Sequence, residues 1–192
     1  LIEMGKIHRG DKVVIPSLAW ATDLSPTIQF GLNPMLCDIN LENLSVSLEH
    51  LEQIFSEHSP KVLMLVSVLG LVPNMRKIQE LCDKYCVILL EDACESTGSE
   101  FDGKKLGNFG LMSSFSSYFG HHFSTIEGGF VNTNDYNVYN MLKMLRSHGW
   151  NRDLDPKAKS NLDKNTNNSF EELYKFYVPG FNLRSTDLQA VI

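Results

Sequence analysis

Short apolar runs alternate along the chain with segments whose apolar residues recur at helical spacing. Lys12–Ser17, Lys61–Gly70 and Val87–Ala93 are strand-like runs, and the last two are apolar at odd and even positions alike. Such runs are typical of strands that are covered on both faces of a parallel sheet. Between them, Ser47–Phe55 has helical spacing, with Ser47 as a plausible N-cap. The alternation predicts an α/β fold, with a mainly parallel (mixed) sheet flanked by helices.

The remaining segments extend the same pattern. Strands are also expected at Pro34–Ile39, Leu111–Phe119 and Gly128–Thr133, and helices at about Trp20–Phe30, Asn74–Cys86 and Asp135–Gly149. From Trp150 to Phe170 the chain becomes polar and rich in Asn, which predicts a loop at 150–170 within the domain. Because both ends of the chain have the pattern of helix interiors, we expect residues 1–192 to be one domain that is incomplete at both ends.

Composition narrows the classes of function. The chain is 43% hydrophobic and 21% charged, as globular domains are, and its net charge of −6 argues against a general nucleic-acid binder. No apolar run approaches the roughly 18–20 residues that a membrane span needs. The four cysteines form no C-x-x-C pair, and Cys82 and Cys86, one helical turn apart, are expected to pack on one face. We expect reduced core thiols in a cytoplasmic protein, and no metal site.

Three acidic residues, Glu91, Asp92 and Glu95, lie at the carboxyl end of the predicted strand Val87–Ala93. In open α/β sheets, ligands bind at this carboxyl edge. Acidic residues also end strands simply to begin a loop, so the acids alone do not identify a site. Two other features favour a ligand site. A Trp lies upstream of the acids, and "SSYFGHHFSTIEGGF" lies downstream. No lysine occurs between Lys105 and Lys143.

Five motifs make the pattern specific. "GDKVVIPSLAWATD" is similar to "GDEVIVPSxTxxAT" of the DegT/DnrJ/EryC/StrS family of sugar aminotransferases, and "LLEDACESTGSEFDGKKLGNFG" to its "xxEDAAQAxGAxYxGxxxGxxG". "FSSYFGHHFSTIEGGFVNTND" resembles "FSFYPGKNLxxxEGGxxxTND", "MLRSHG" resembles "xLRNHG", and "GFNLRSTDLQAVI" resembles "GxNxRMTExQAAI". The chain thus resembles these fold-type-I pyridoxal-phosphate enzymes over nearly all of its length. The resemblance implies an aspartate-aminotransferase-like large domain, with the small C-terminal domain and a phosphate-binding loop lying outside residues 1–192.

The resemblance also implies roles for individual residues around the cofactor, pyridoxal 5′-phosphate or pyridoxamine 5′-phosphate. Asp92 would pair with the pyridinium nitrogen and keep the ring protonated, so that the ring can accept electrons. Trp20 would stack on the ring, although a Trp is equally at home in a core. Ser116 would bind the phosphate. Glu95 falls at the position where the family usually has Gln or His, and it would lie near the ring hydroxyl.

Three further residues belong to the later motifs. Asn182, as a cofactor contact, and Arg184, as a substrate contact, fall in a motif that reaches toward the site of a neighbouring subunit, which implies a homodimer with shared active sites. His148 would contact the sugar or cap the end of its helix, where a cation is favourable. The sequence leaves these two roles for His148 open.

The family lysine aligns with His121. An aminotransferase uses that lysine both as the Schiff-base anchor and as the proton shuttle. An imidazole cannot form a stable Schiff base, but its ordinary pKa of about 6.5 suits a general base. The substitution therefore predicts a cofactor held without a covalent bond and removal of the 3-hydroxyl from a nucleotide-linked 4-keto-6-deoxy sugar. The adjacent His122 is either a partner of this base or a polar loop residue.

Two types of sugar 3-dehydratase fit a histidine at this position. The CDP-sugar type carries an iron–sulfur cluster with cysteines soon after the "HGW" motif, but "SHGWNRDLDPKAKSN" contains none. The metal-free type of colitose synthesis acts on a GDP-linked sugar with glutamate as the amine donor, and it is the type we predict. The alternatives are the iron–sulfur type, a sugar aminotransferase and an inactive protein that still binds the cofactor.

Overall fold

The computed structural model describes residues 1–162, 170 and 173–192. In chain order its elements are β1 (Lys12–Pro16), α1 (Ala21–Gln29), β2 (Asn33–Cys37), α2 (Leu48–His58), β3 (Val62–Val66), α3 (Met75–Tyr85), β4 (Ile88–Asp92), β5 (Glu100–Phe101), β6 (Lys104–Lys105), β7 (Met112–Ser116), β8 (Gly129–Asn132), α4 (Tyr136–Leu145), α5 (Pro156–Leu162) and α6 (Asp187–Val191). Among these helices, none is long and apolar enough to cross a membrane.

One six-stranded sheet organises the domain. Its strands lie in the order β2-β1-β3-β4-β7-β8, while β5 and β6 form a separate antiparallel pair. The first five strands of that order are parallel, and β8 joins the edge antiparallel to β7. The predicted mainly parallel, mixed α/β sheet is therefore confirmed.

Both faces of the sheet are covered, which explains strands that are apolar at every position. On one face Val14 and Leu63 pack in a core that includes residues of α2 and α3. On the other face Val13, Ile15 and Val62 pack with the N-terminal segment and α1. Because successive side chains of a strand point to opposite faces, one strand contributes to both cores.

The helices begin where the sequence places their caps. The Ser47 hydroxyl accepts a hydrogen bond from the His50 N–H at 3.4 Å, so Ser47 caps α2 as predicted. The Asp135 carboxylate accepts from Asn137 and Val138 at 2.8 and 2.9 Å at the start of α4. Each cap satisfies N–H groups that have no partner within their helix.

Two predictions about the chain between Lys61 and Cys86 were wrong in part. The strand expected over Lys61–Gly70 ends at Val66, and Val68–Gly70 forms a 3-10 turn instead. The shared face expected for Cys82 and Cys86 also fails, since Cys82 is buried and Cys86 is exposed. Cys86 ends α3 in the left-handed conformation, and the change of backbone direction there carries its side chain away from the helical row.

The polar segment after Trp150 was predicted to be a loop, but part of it is helical. Residues Pro156–Leu162 form α5, whose start is capped by the Asp155 carboxylate through the Ala158 N–H at 2.9 Å. Leu154 and Ala158 are buried against Met144 of α4. These few apolar side chains, spread through a polar stretch, fasten it to the domain. Positions 163–169 of the predicted loop lie outside the described residues.

Candidate active site

A cavity of about 750 Å³ opens at the carboxyl ends of the parallel strands. Its walls come from the segments that follow β1, β3, β4 and β7. Strand order reverses between β1 and β3, because β2 lies on one side of β1 and β3 on the other. Ligands of open α/β sheets bind at such a reversal, so the sheet topology itself indicates a binding site.

Most of the residues singled out from the sequence meet in this cavity. Its lining includes Trp20, Asp92, Glu95, Ser116 and His121. Three separate strand ends, those of β1, β4 and β7, deliver these side chains from positions up to 101 residues apart in the chain. Trp20 remains 75% exposed, so its indole is a wall of the cavity and not a core residue.

The three acids at the carboxyl end of β4 have separate surroundings. Glu91 is only 2% exposed, and it accepts hydrogen bonds from the backbone N–H groups of Gly107, Phe109 and Gly110 at 2.6–2.7 Å. It therefore holds the 107–110 loop and does not line the cavity. Asp92, the next residue along the strand, faces the cavity.

The Asp92 carboxylate is held by its neighbours. Its Oδ1 accepts a hydrogen bond from the Cys94 N–H at 2.9 Å. Burial, and then a hydrogen bond to Asp92, raise the pKa of the Cys94 thiol to about 12, so the thiol keeps its proton. Backbone and side chain of Cys94 thus both support Asp92.

Glu95 joins two walls of the cavity. Its carboxylate accepts a hydrogen bond of 2.7 Å from the backbone N–H of Leu69, in the turn after β3. Leu69 has a φ of 53°, in the left-handed region that non-glycine residues rarely adopt. This contact gives the physical reason why the predicted strand stops short of Gly70.

Asp23 is a cavity residue that the sequence reasoning missed. It lies in the first turn of α1, only 4% exposed, and its carboxylate accepts a hydrogen bond from the Trp20 N–H at 3.0 Å. Burial, and then the charge of Asp92, raise the pKa of Asp23 to about 7. An acid in a first helical turn is common for reasons of helix stability alone, so the pattern offered no signal that Asp23 faces Asp92.

Hydrogen bonds join the two ends of the loop that carries His121 and His122. Ser117, just after β7, donates its N–H to Gly128 at 3.0 Å and accepts from the Thr125 N–H at 2.9 Å. The two hydroxyls of Ser117 and Thr125 are also 2.8 Å apart. A Cβ on Gly128 would lie 2.5 Å from the Ser117 hydroxyl, so the "EGG" turn has no room for a side chain there. The loop is therefore closed at its base.

Within the loop, Tyr118 orients His121. The His121 N–H donates to the Tyr118 carbonyl at 3.1 Å, and the two rings meet edge to face with centroids 5.8 Å apart. His121 is half-buried and lines the cavity, whereas His122 is exposed and does not. The geometry therefore gives His122 no contact with the cavity.

The residues of the later motifs lie outside the cavity lining. Asn182 bridges to Ser147, and its side-chain oxygen accepts from Arg184 Nε at 3.3 Å. His148 lies beyond the end of α4 with a φ of 62°, and its N–H donates to Phe181 at 2.7 Å. These three residues are exposed, and the structure does not bring them to the cavity of their own chain.

The chemistry of the lining suits an aromatic, phosphorylated cofactor. It offers a carboxylate at the floor, an exposed indole at one wall, and a hydroxyl and an imidazole from the end of β7. Among the described residues that line the cavity, none is a lysine, and His121 is the one basic side chain. The site can bind a ring and move a proton, but its described lining has no amine that could form a covalent link.

A family model spans this whole arrangement. The DegT/DnrJ/EryC1/StrS aminotransferase family matches residues 1–192. The chain belongs to this family. The aminotransferase-like fold that the motifs predict is therefore confirmed.

Individual relatives of this family member are 3-dehydratases. The chain is 36% identical over 187 residues to GDP-4-keto-6-deoxy-D-mannose 3-dehydratase of Escherichia coli O55:H7, covering 97% of the chain and 48% of that protein. A solved structure of the E. coli enzyme with bound hydrated PLP matches 96% of the chain and 47% of its own, at 36% identity and a TM-score of 0.89. A structure of GDP-4-keto-6-deoxymannose-3-dehydratase with a trapped PLP-glutamate geminal diamine matches at 35% identity and a TM-score of 0.88, with the same coverages.

These matches cover only part of each relative. The chain spans about half the length of the relatives it matches. The activity, substrates and partners of those whole proteins are therefore proposals for this chain.

Proposed function

We propose that the protein removes the 3-hydroxyl from a GDP-linked 4-keto-6-deoxy sugar, with pyridoxamine phosphate bound non-covalently as cofactor. The observation that carries the proposal is His121. His121 lines the same cavity as Asp92, a carboxylate suited to a pyridine nitrogen, and it stands where the family motif has lysine. The printed names of the relatives support the same substrate class.

The residues of the cavity would hold the cofactor from several sides. Asp92 would accept the proton of the pyridine nitrogen in a hydrogen bond and keep that nitrogen charged. Trp20 would cover one face of the ring, and Ser116 would donate to the phosphate. Glu95, fastened to the Leu69 N–H, would line the side of the ring hydroxyl. When bound, pyridoxamine phosphate supplies an amine for the sugar 4-keto group and a ring that accepts electrons.

His121 would move the proton that decides the outcome. Its imidazole would accept the proton at C4′, the cofactor carbon that carries the amine, so that the 3-hydroxyl of the sugar could leave. A lysine at this position would return the proton to sugar C4 and complete a transamination instead. Because imidazole is a proton carrier but not a stable Schiff-base former, the substitution favours dehydration. Tyr118 keeps the ring oriented for this transfer.

Glutamate is the proposed amine donor that regenerates pyridoxamine phosphate. The relative with a trapped PLP-glutamate adduct supports this choice. The four cysteines are free thiols, which fits a cytoplasmic location, where thiols stay reduced.

We also propose a homodimer with shared active sites. Two large apolar side chains are exposed in the segments that carry the cavity lining: Leu69, which lines the cavity, is 72% exposed, and Phe119, next to the lining residue Tyr118, is 68% exposed. Exposed apolar groups of this size beside a ligand cavity suit a protein interface. Asn182 and Arg184, which lie outside their own cavity, are then free to reach the cofactor and substrate of the partner.

Mass spectrometry tests the function directly. The full-length protein is incubated with a GDP-4-keto-6-deoxy sugar, pyridoxal phosphate and glutamate. We expect a product that has lost the oxygen at C3. A product that has gained an amine would identify a sugar aminotransferase, and unchanged substrate alongside bound cofactor would identify an inactive cofactor-binding protein. Turnover that required an added iron–sulfur cluster would favour the CDP-sugar type.

A further inference from the structure

Two acidic side chains are neighbours in the lining of the cavity. Asp23 comes from the first turn of α1 and Asp92 from the end of β4, and both line the cavity. The Asp23 carboxyl lies within hydrogen-bonding reach of the Asp92 carboxyl, and its Oδ2 accepts from the Trp20 N–H at 3.0 Å. A hydrogen bond between two carboxyls needs a proton on one of them.

The groups around the pair offer donors but no cation in direct contact. Cys94 donates its N–H to Asp92 at 2.9 Å, and its thiol, which keeps its proton, lies near the same carboxylate. The other titratable groups of the described lining are Glu95, Tyr118 and His121. Because Asp23 is 4% exposed and the described lining contains neither Lys nor Arg, a second negative charge on the pair would be poorly compensated.

We propose that Asp23 is a positioning residue for Asp92, with which it shares one proton, so that the pair presents a single negative charge to the pyridine nitrogen of the cofactor. Asp23 is then a neutral acid that donates to the Asp92 carboxylate. The identity of the ligand rests on the proposed function, but the shared proton can be measured without any ligand.

The family pattern helps to define this role. In "GDEVIVPSxTxxAT" the last residue aligns with Asp23, so a threonine is usual there and an aspartate stands in this chain. A threonine hydroxyl can donate a hydrogen bond to a carboxylate, but it cannot lose its proton in the neutral range. Asp23 keeps a hydrogen-bond donor at this position, but it can also lose its proton. The charge of the site that faces the ring nitrogen therefore depends on pH.

Cofactor binding should therefore be linked to protons. Below about pH 7 the free pair already carries its shared proton, because burial and Asp92 raise the pKa of Asp23 to about 7. Above that pH the free pair has lost the proton, and binding in the singly charged form takes up about one proton. Affinity then falls up to about tenfold per pH unit, a dependence that a non-titrating side chain cannot produce.

The first experiment is a carboxyl titration of the full-length, cofactor-free protein by NMR with ¹³C-labelled aspartate. We expect a carboxyl signal that titrates near neutral pH in the wild type and disappears in Asp23→Asn. Asn can still donate to Asp92, so the hydrogen bond survives while the titration is lost. Asp83→Asn, on the exposed face of α3, is the matched control and keeps the signal. Absence of the signal from the wild type, or its persistence in Asp23→Asn, overturns the proposal.

The second experiment measures binding of pyridoxamine phosphate by calorimetry at pH 5.5 and pH 8, in buffers of different ionisation enthalpy. At pH 8 we expect wild type and Asp83→Asn to take up about one proton more than Asp23→Asn, and at pH 5.5 we expect all three to agree. Asp23→Thr, which carries the residue usual in the family, should behave like Asp23→Asn and guards against a folding defect in the latter. Equal proton uptake by all variants at pH 8 would contradict the proposal. If the carboxyl signal titrates near neutral pH as expected but the protein has no dehydration activity, only the proposed function is overturned.

Discussion

The backbone N–H of Leu69 and the Glu95 carboxylate form a hydrogen bond of 2.7 Å that joins the turn after β3 to the loop after β4. Leu69 adopts a φ of 53°, which costs a non-glycine residue on the order of 1 kcal/mol. Hydrogen bonds to charged acceptors contribute about 1.5–3 kcal/mol. The bond therefore offsets the strain, and the two walls of the cavity depend on each other.

Glu95→Ala should lower the free energy of unfolding by about 1–2 kcal/mol, because Leu69 loses its charged acceptor. Urea denaturation of the purified protein measures the change. Glu95→Gln, which keeps an acceptor oxygen, should lose less than half as much, and Glu80→Ala on exposed α3 should lose little. A Glu95→Ala protein as stable as Glu80→Ala would show that the turn holds itself.

Glu91→Gln should destabilise the protein by about 2–3 kcal/mol, measured in the same way. The Glu91 carboxylate accepts three backbone hydrogen bonds in a buried position, and the amide replaces one of its oxygens by a donor that faces an N–H group. Glu80→Gln is the matched exposed control. Equal stability of the two variants would mean that the 107–110 loop does not depend on the carboxylate.

His121→Asn should reduce dehydration by at least about 100-fold, the usual contribution of a general base. Cofactor affinity should stay within about tenfold, a limit of 1.4 kcal/mol, because His121 is not the anchor. Turnover by mass spectrometry and equilibrium dialysis measure the two quantities. His122→Asn, at an exposed position, should leave both unchanged. Retained turnover in His121→Asn would remove this imidazole from the mechanism.

His121→Lys should convert the mode of binding. The wild-type protein should release its cofactor on dialysis and leave no adduct after borohydride reduction. The lysine variant should show Schiff-base absorbance, form a reducible adduct and lose most dehydration, because a primary amine can both tether the cofactor and return the proton. Dehydration at the full rate in this variant would show that the residue at position 121 does not decide between dehydration and transamination.

The stability of the cofactor-free protein should depend on pH through Asp23. Its pKa rises from 3.8 to about 7 on folding, through burial and then the charge of Asp92. Between these values the native state holds a proton that the unfolded chain has lost, so the contribution of Asp23 to stability falls as pH rises from about 4 to 7. The loss is up to about 4 kcal/mol, at 1.36 kcal/mol per pKa unit.

Asp23→Asn isolates this effect. Between pH 5 and pH 8 the wild type should lose unfolding free energy through Asp23. We expect Asp23→Asn to lose less over the same pH range, measured by urea denaturation. Asp83→Asn, which removes the same charge from an exposed position, should follow the wild type. A difference between Asp23→Asn and wild type that stays constant with pH would show that Asp23 is not protonated in the native state.

Local pattern determined much of this protein. Periodicity and caps located most strands and helices, because side-chain burial repeats every two residues in a strand and every 3.6 in a helix. Motif order placed Trp20, Asp92, Ser116 and His121 at strand ends, and parallel strands bring their carboxyl ends to one edge. Those four side chains line one cavity.

Only the tertiary structure decided which neighbouring groups share an environment. Glu91 and Asp92 are adjacent in sequence, but the strand turns one toward the 107–110 loop and the other toward the cavity. Asp23 and Asp92 are 69 positions apart, and the contact between β1, β3 and β4 brings their carboxyls together. Residue types along a chain specify which elements form, whereas the charge of a buried acid depends on what packs around it, and packing is set by the whole sheet.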